Sequence, residues 1–204
     1  MKLSNTKWVA LALLTAALPA LSQEVPAEMP QITVNVYNDA RVPEPVLAKA
    51  KREAAGIFHR AEVKITWIDC SSSRGQGTSD PACGNPMDRA HLAVRIVPWS
   101  STSGGAVFGI AFLSPEGTGA YSDVFYDSVE KLHEEWHASI PTLLGHVIAH
   151  EVGHLLLGTN AHSRMGIMRS KWQGEELRSI AMGGLLFTPP QIESFKARLS
   201  ASPR

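Results

Sequence analysis

The chain has 204 residues with 19 basic and 19 acidic side chains, so no net charge draws it toward nucleic acid or an anionic membrane. Its length is usual for one domain with a real hydrophobic core, and no internal repeat divides it.

Residues 1–22 carry Lys2 and Lys7, then an apolar run from Trp8 to Leu14 that continues through Ala16, Ala17 and Leu18 and ends in the small-residue pattern Ala20-Leu21-Ser22. This predicts a secretory signal cleaved after Ser22. The apolar core is shorter than the ~20 residues a spanning helix needs, so no stable membrane insertion is expected once the signal is removed, and no other stretch reads as a span. A secreted or periplasmic protein follows. Residues 23–30 read as a flexible lead-in, and residues 31–204 as one domain.

Gln31 to Tyr37 alternates polar and apolar residues, the pattern of a half-buried strand. Pro43 to Arg60 follows as a helix, with prolines at its start and a stripe of Val46, Leu47, Ala50, Ala54, Ile57 and Phe58. Lys64–Cys70 and His91–Trp99 read as further strands. Between them lies a Ser/Gly-rich loop bracketed by Cys70 and Cys83, the two cysteines of the chain, which in an exported protein are expected to form a disulfide. Gly104 to Ser114 contains a strand-like run at 107–112, and Ala120 to Val129 reads as the last strand before a long helix. Arg169 to Phe187 resists assignment. Thr188-Pro189-Pro190-Gln191 starts a closing helix that packs through Ile192, Phe195 and Leu199.

The chemistry concentrates in His150-Glu151-Val152-Gly153-His154. Residues four apart share a helix face, so His150 and His154 can present imidazole nitrogens to one metal ion, with Glu151 placed to act on a metal-bound water as general base. A catalytic zinc takes three protein ligands and keeps one open position. Gly158 offers the helix a place to stop, and His162, four residues further on, can swing back as the third ligand. Glu175 or Glu176, some twenty residues past His154, is the rival third ligand of a thermolysin-like hydrolase. A second H-E-x-x-H, His133 to His137, is rich in charge, is followed by Pro141 and has no glycine stop behind it, so these histidines read as solvated. His146, one turn before His150, is out of reach of the same ion (a turn is about 5.4 Å) and reads as packed or hydrogen-bonded, as do His59 and His91.

His150 to His162, closed by Met165-Gly166-Ile167-Met168, resembles the metzincin clan of zinc endopeptidases and its matrixin-like members, whose motif is H-E-x-x-H-x-x-G-x-x-H followed by a methionine turn. This chain reads H-E-x-x-H-x-x-x-G-x-x-x-H, and Asn160 occupies the family's usual third-ligand position. The resemblance implies His150, His154 and His162 as ligands of one zinc ion, Glu151 as base, and Met168 (alternatively Met165) as the methionine beneath the metal. It implies an α+β fold with a twisted, mostly parallel five-stranded sheet, an active-site helix and a C-terminal helix, in which residues 107–112 are the edge strand that binds substrate backbone. Pro81 to Asp88 looks like the matrixin latency switch, but it sits inside the domain beside a partner cysteine. The expected activity is that of an exported zinc endopeptidase acting on peptide or protein substrates. A non-catalytic zinc-binding protein on the same fold is the other class left open.

Overall fold

The computed structural model describes residues 29–70, 80–99 and 107–201. The expected signal, the lead-in through residue 28 and the approach to the fourth strand at 100–106 lie outside the described residues.

Five strands form one sheet in the order β2-β1-β3-β5-β4: β1 (Gln31–Asn38), β2 (Lys64–Asp69), β3 (His91–Val97), β4 (Gly109–Phe112) and β5 (Tyr121–Phe125). β1, β2, β3 and β5 are parallel, and β4 runs antiparallel along β5 at the edge. Helix α1 (Glu44–Arg60) connects β1 to β2, as a parallel pair requires. The expected mostly parallel five-stranded α+β architecture is therefore present.

The side chains of Ile32, Val34 and Val36 on β1 and Leu92, Val94 and Ile96 on β3 join the core with Leu47, Ala50, Ala54, Ile57 and Phe58 of α1. The alternation of β1 predicts one wet face, yet Asn35 on the opposite face is fully buried. Its place in a central strand, between β2 and β3, covers it, and its Oδ1 lies 3.0 Å from His91 Nε2. A polar residue in a strand thus marks a buried hydrogen bond here.

Two boundaries differ from expectation. Strand β5 ends at Phe125, and the next residues form helix α2 (Tyr126–Trp136), so the apolar run Val124-Phe125-Tyr126 straddles a strand-to-helix junction. The unassigned stretch after the methionines holds helix α4 (Gly174–Ala181) ahead of the closing helix α5 (Pro189–Ser200). In α5, Gln191 Oε1 accepts the Thr188 backbone N–H at 2.8 Å, and Phe195 is the buried member of the expected stripe.

Helix α3 (Ile140–Leu157) carries the histidine motif through the middle of the molecule. Its mean hydropathy of 1.2 over 18 residues would suit a membrane span by length and composition, but 78% of that window is buried against this fold. Packing against α1 is tight at Gly145, where a Cβ would sit 2.6 Å from Glu53 Cβ and 2.7 Å from the Ala50 carbonyl oxygen. Beyond β2, Cys70 and Cys83 are joined in the expected disulfide, with Cα atoms 5.7 Å apart. Cys83 therefore has no thiolate to lend a latency switch.

Gly145→Leu should force α1 from α3 and lower unfolding free energy by about 1–3 kcal/mol in a denaturant titration. An unchanged midpoint would contradict this contact.

Candidate metal centre

Helix α3 starts after Ser139 with Pro141 in its first turn, where a missing N–H costs nothing, and stops at Gly158, whose φ of 66° is the left-handed cap that glycine adopts without strain. Between these ends His150, Glu151 and His154 are all buried. The Nε2 atoms of His150 and His154 lie 3.0 Å apart. His162, exposed on the turn beyond Gly158, brings its ring centroid to 5.4 Å from His150 and 4.9 Å from His154. The nearest ligand atoms of the three fall within 4.8 Å of one another, a grouping found once among the described residues.

Hydrogen bonds fix which nitrogens face the centre. His150 Nδ1–H donates to the Ile167 carbonyl at 2.7 Å, and His154 Nδ1–H donates to the Thr159 carbonyl at 2.8 Å. A carbonyl only accepts, so the proton of each neutral ring sits on Nδ1 and both Nε2 lone pairs point at one space. Two lone pairs at 3.0 Å repel unless a cation lies between them, and zinc held at about 2.0–2.1 Å by each nitrogen would set them about 3.3 Å apart. Burial pushes His150 down to about 3, with neighbouring His154 adding to the effect, and burial lowers His154 and His162 as well. Each shift favours the neutral imidazole, the form a metal requires. The residues present fit a zinc ion on His150, His154 and His162.

The Ile167 carbonyl that orients His150 belongs to the methionine segment. Its position is set by the Ile167 N–H bond to the Leu186 carbonyl at 2.9 Å and the Ser163 N–H bond to the Met168 carbonyl at 2.9 Å. Met168 is fully buried, and its Sδ would lie 2.7 Å from a Cβ added at Gly153, between the two helical histidines. Met165 is 68% exposed, so of the two methionines Met168 is the one packed under the motif.

Glu151 lies beneath the edge strand. A Cβ at Gly109 on β4 would come within 2.6 Å of Glu151 Cγ and 2.5 Å of the Asp123 carbonyl oxygen, so glycine there gives the carboxylate its room. Burial pushes the Glu151 carboxyl up to about 8 in the metal-free site.

The rival ligands are placed elsewhere. Glu176 forms an ion pair with Arg169 and accepts the Gln173 backbone N–H at 2.9 Å through Oε2, capping α4, while Glu175 is exposed. The second H-E-x-x-H ends α2: His133 Nδ1 bonds the Ala138 carbonyl at 2.6 Å, and His137 is the exposed left-handed cap. His146 is fully buried and its Nδ1 donates to the Thr142 carbonyl at 2.8 Å, as a packed histidine should. Sequence reasoning missed Trp172. Its Nε1–H also donates to the Ile167 carbonyl at 3.2 Å, and its ring lies edge-on to His150 at 5.8 Å. Phe108 stacks on Trp172 at 5.3 Å, and with Trp136 these rings wall a cavity of about 470 Å³ whose charged lining is Glu135 and Lys171. The position of Trp172 four residues past Met168 is the one sequence feature that links it to the methionine segment.

No protein-family model matches the sequence, and no curated protein matches it. Solved structures do. The chain is similar to a zinc-dependent peptidase from Methanocorpusculum labreanum at TM-score 0.52 and 15% identity, over 79% of this chain and 99% of that one. It is similar to archaemetzincin from Methanopyrus kandleri at TM-score 0.52 and 14% identity, over 86% and 99%. Metalloproteinase-II from Bacteroides fragilis matches at TM-score 0.51 and 12% identity, over 83% of this chain and 53% of that one. At these identities the likeness is one of fold: the chain has the fold of zinc-dependent peptidases.

The raised Glu151 value has a testable sign. A carboxyl at 4.5 when unfolded and about 8 when folded stabilises the native state fully below pH 4.5, and that contribution is lost as pH rises toward 8. Metal-free Glu151→Gln should therefore match the wild type near pH 4.5 and melt roughly 5 °C or more higher at pH 8. Equal melting temperatures at pH 8 would show that the carboxylate is not desolvated.

Proposed function

We propose that the protein is an exported zinc-dependent endopeptidase, with His150, His154 and His162 as the ligands of one zinc ion and Glu151 as general base. The observation that carries this reading is the pair of lone-pair-bearing Nε2 atoms 3.0 Å apart on a buried helix, with a third histidine beside them and a buried carboxylate next in sequence. Export is supported by the signal-like N-terminus and by the disulfide. A purely structural zinc site has no use for a buried base, which favours catalysis over a binding role.

A zinc ion on these histidines would act as a Lewis acid, acidifying a water and polarising the scissile carbonyl. The chain's own residues supply the rest. Glu151 takes the proton of the attacking water and returns it to the departing amine, so its carboxylate starts and ends the cycle unprotonated. Among the described residues β4 pairs with β5 along one side only, and its other side offers ladder groups to an extended peptide, holding the scissile bond across the histidines. The cavity between Phe108, Trp136 and Trp172 then takes a large apolar substrate side chain adjoining His150. Trp172 closes the inner wall, its indole fixed by the same carbonyl that orients the ligand.

Glu151→Gln should keep zinc and lose peptide hydrolysis by at least ~10²-fold in kcat; retained hydrolysis would overturn the base assignment. His162→Ala should lose most of its metal in elemental analysis, whereas Glu175→Ala and Glu176→Ala should keep it. The reverse pattern would identify a thermolysin-like third ligand. Trp136→Ala should raise KM for substrates with aromatic side chains more than for those with alanine at the same position, and equal changes would place that side chain elsewhere.

A further inference from the structure

We propose that Arg198, on the closing helix and far from His162 in sequence, is a positioning residue for the metal centre. It rests on the zinc reading above. Its guanidinium packs against Gly158, so close that a Cβ there would overlap it, and Arg198 Nη2–H donates to the Gly117 carbonyl at 2.8 Å. Gly117 itself packs on the Gly158 carbonyl, where a Cβ would overlap the oxygen, and its φ is 73°. Arg198, Gly158 and Gly117 form one stack at the end of α3.

That stack has two consequences for the site. Gly158 is the residue at which the chain leaves the helix: its N–H and that of Thr159 both donate to the His154 carbonyl, at 2.9 Å and 3.3 Å. The next carbonyl, of Thr159, accepts the Nδ1–H of His154 and so sets that ligand's orientation, and Thr159 Oγ1 accepts the Ala161 N–H at 3.1 Å on the way to His162. A cation against the C-terminal carbonyls of α3 also opposes the negative end of the helix dipole. On its other side the stack holds the turn after β4, where the Gly117 N–H bonds the Ser114 carbonyl at 2.9 Å and the Ser114 N–H bonds the Thr118 carbonyl at 2.8 Å. Arg198 thereby ties the lengthened ligand turn and the end of the substrate-facing strand to one point. Lysine cannot reproduce this, because a planar fork both stacks on a glycine and donates sideways.

The test is metal affinity in the full chain, stripped with a chelator and titrated with Zn²⁺ against a chromophoric competitor, together with the visible absorption of the Co²⁺ form. Arg198→Ala and Gly117→Ala should weaken Zn²⁺ binding about tenfold and alter the Co²⁺ bands, with Arg198→Lys between them and the wild type. Lys196→Ala, on the same helix, which breaks the pairs with Glu193 and with Glu62 in the turn after α1, should leave both readouts unchanged. A merely structural arginine would lower the metal-free melting temperature while affinity and Co²⁺ spectrum stay at wild-type values; that result overturns the proposal. If Arg198→Ala does not fold, Arg198→Lys decides, and wild-type affinity in it overturns the proposal too. Wild-type protein that takes up no metal overturns the zinc reading itself, a distinct outcome.

Discussion

Two main-chain carbonyls govern this site. Ile167 and Thr159 each accept a proton from the Nδ1 of a helical histidine, and those two bonds decide that Nε2 of His150 and of His154 carries a lone pair toward a common centre. Without them each ring could rotate or change tautomer, and i, i+4 spacing would bring the rings together without aiming them. The surrounding structure serves to place these carbonyls. Ile167 is held by the strand-like pairing of residues 163 to 169 and by Leu186, with Met168 buried against Gly153 below. Thr159 is held by the glycine turn at 158 and by the stack of Arg198 and Gly117. The second support reaches from the closing helix, the first from the segment before it, so the ligand geometry is completed only when the chain that follows α3 has folded back onto it.

Glu151 shows the opposite economy. Its carboxylate is buried under β4 and thereby costs the metal-free protein stability at neutral pH, yet the same burial keeps it close to the edge where a peptide backbone would add. Gly109 is the residue that makes this possible, since any side chain on that face of β4 would occupy the carboxylate's place. A stable scaffold carries this cost: a four-stranded parallel core and the tight α1–α3 contact at Gly145 hold the helix that presents the carboxylate.

Much of this was legible in the sequence because it follows local rules. Histidines four apart, a glycine just past the last apolar turn and an even pair of cysteines in a chain that opens like a secretory signal each specify a local geometry. Other features escaped because they depend on neighbours or because the local pattern suits two structures. The burial of Asn35 depends on strands to either side of it, which alternation within β1 cannot report. The end of β5 falls inside an apolar run that suits both a strand and the first turn of α2. Glu175 and Glu176 have the spacing of a thermolysin-like third ligand, some twenty residues past His154, whereas the place of Glu176 at the start of α4 makes it a cap and the partner of Arg169. Carbonyl acceptors leave no trace in side-chain identity, so Ile167 and Thr159, the groups that aim the ligands, were invisible there.

The most direct measurement is the metal content of the purified mature protein alongside cleavage of an unstructured substrate such as casein, with and without a chelator. One zinc per chain, with cleavage abolished by the chelator and restored by added zinc, is the predicted result. Protein that holds no zinc after preparation in its presence would contradict the central claim, because His150, His154 and His162 would then be aimed at nothing.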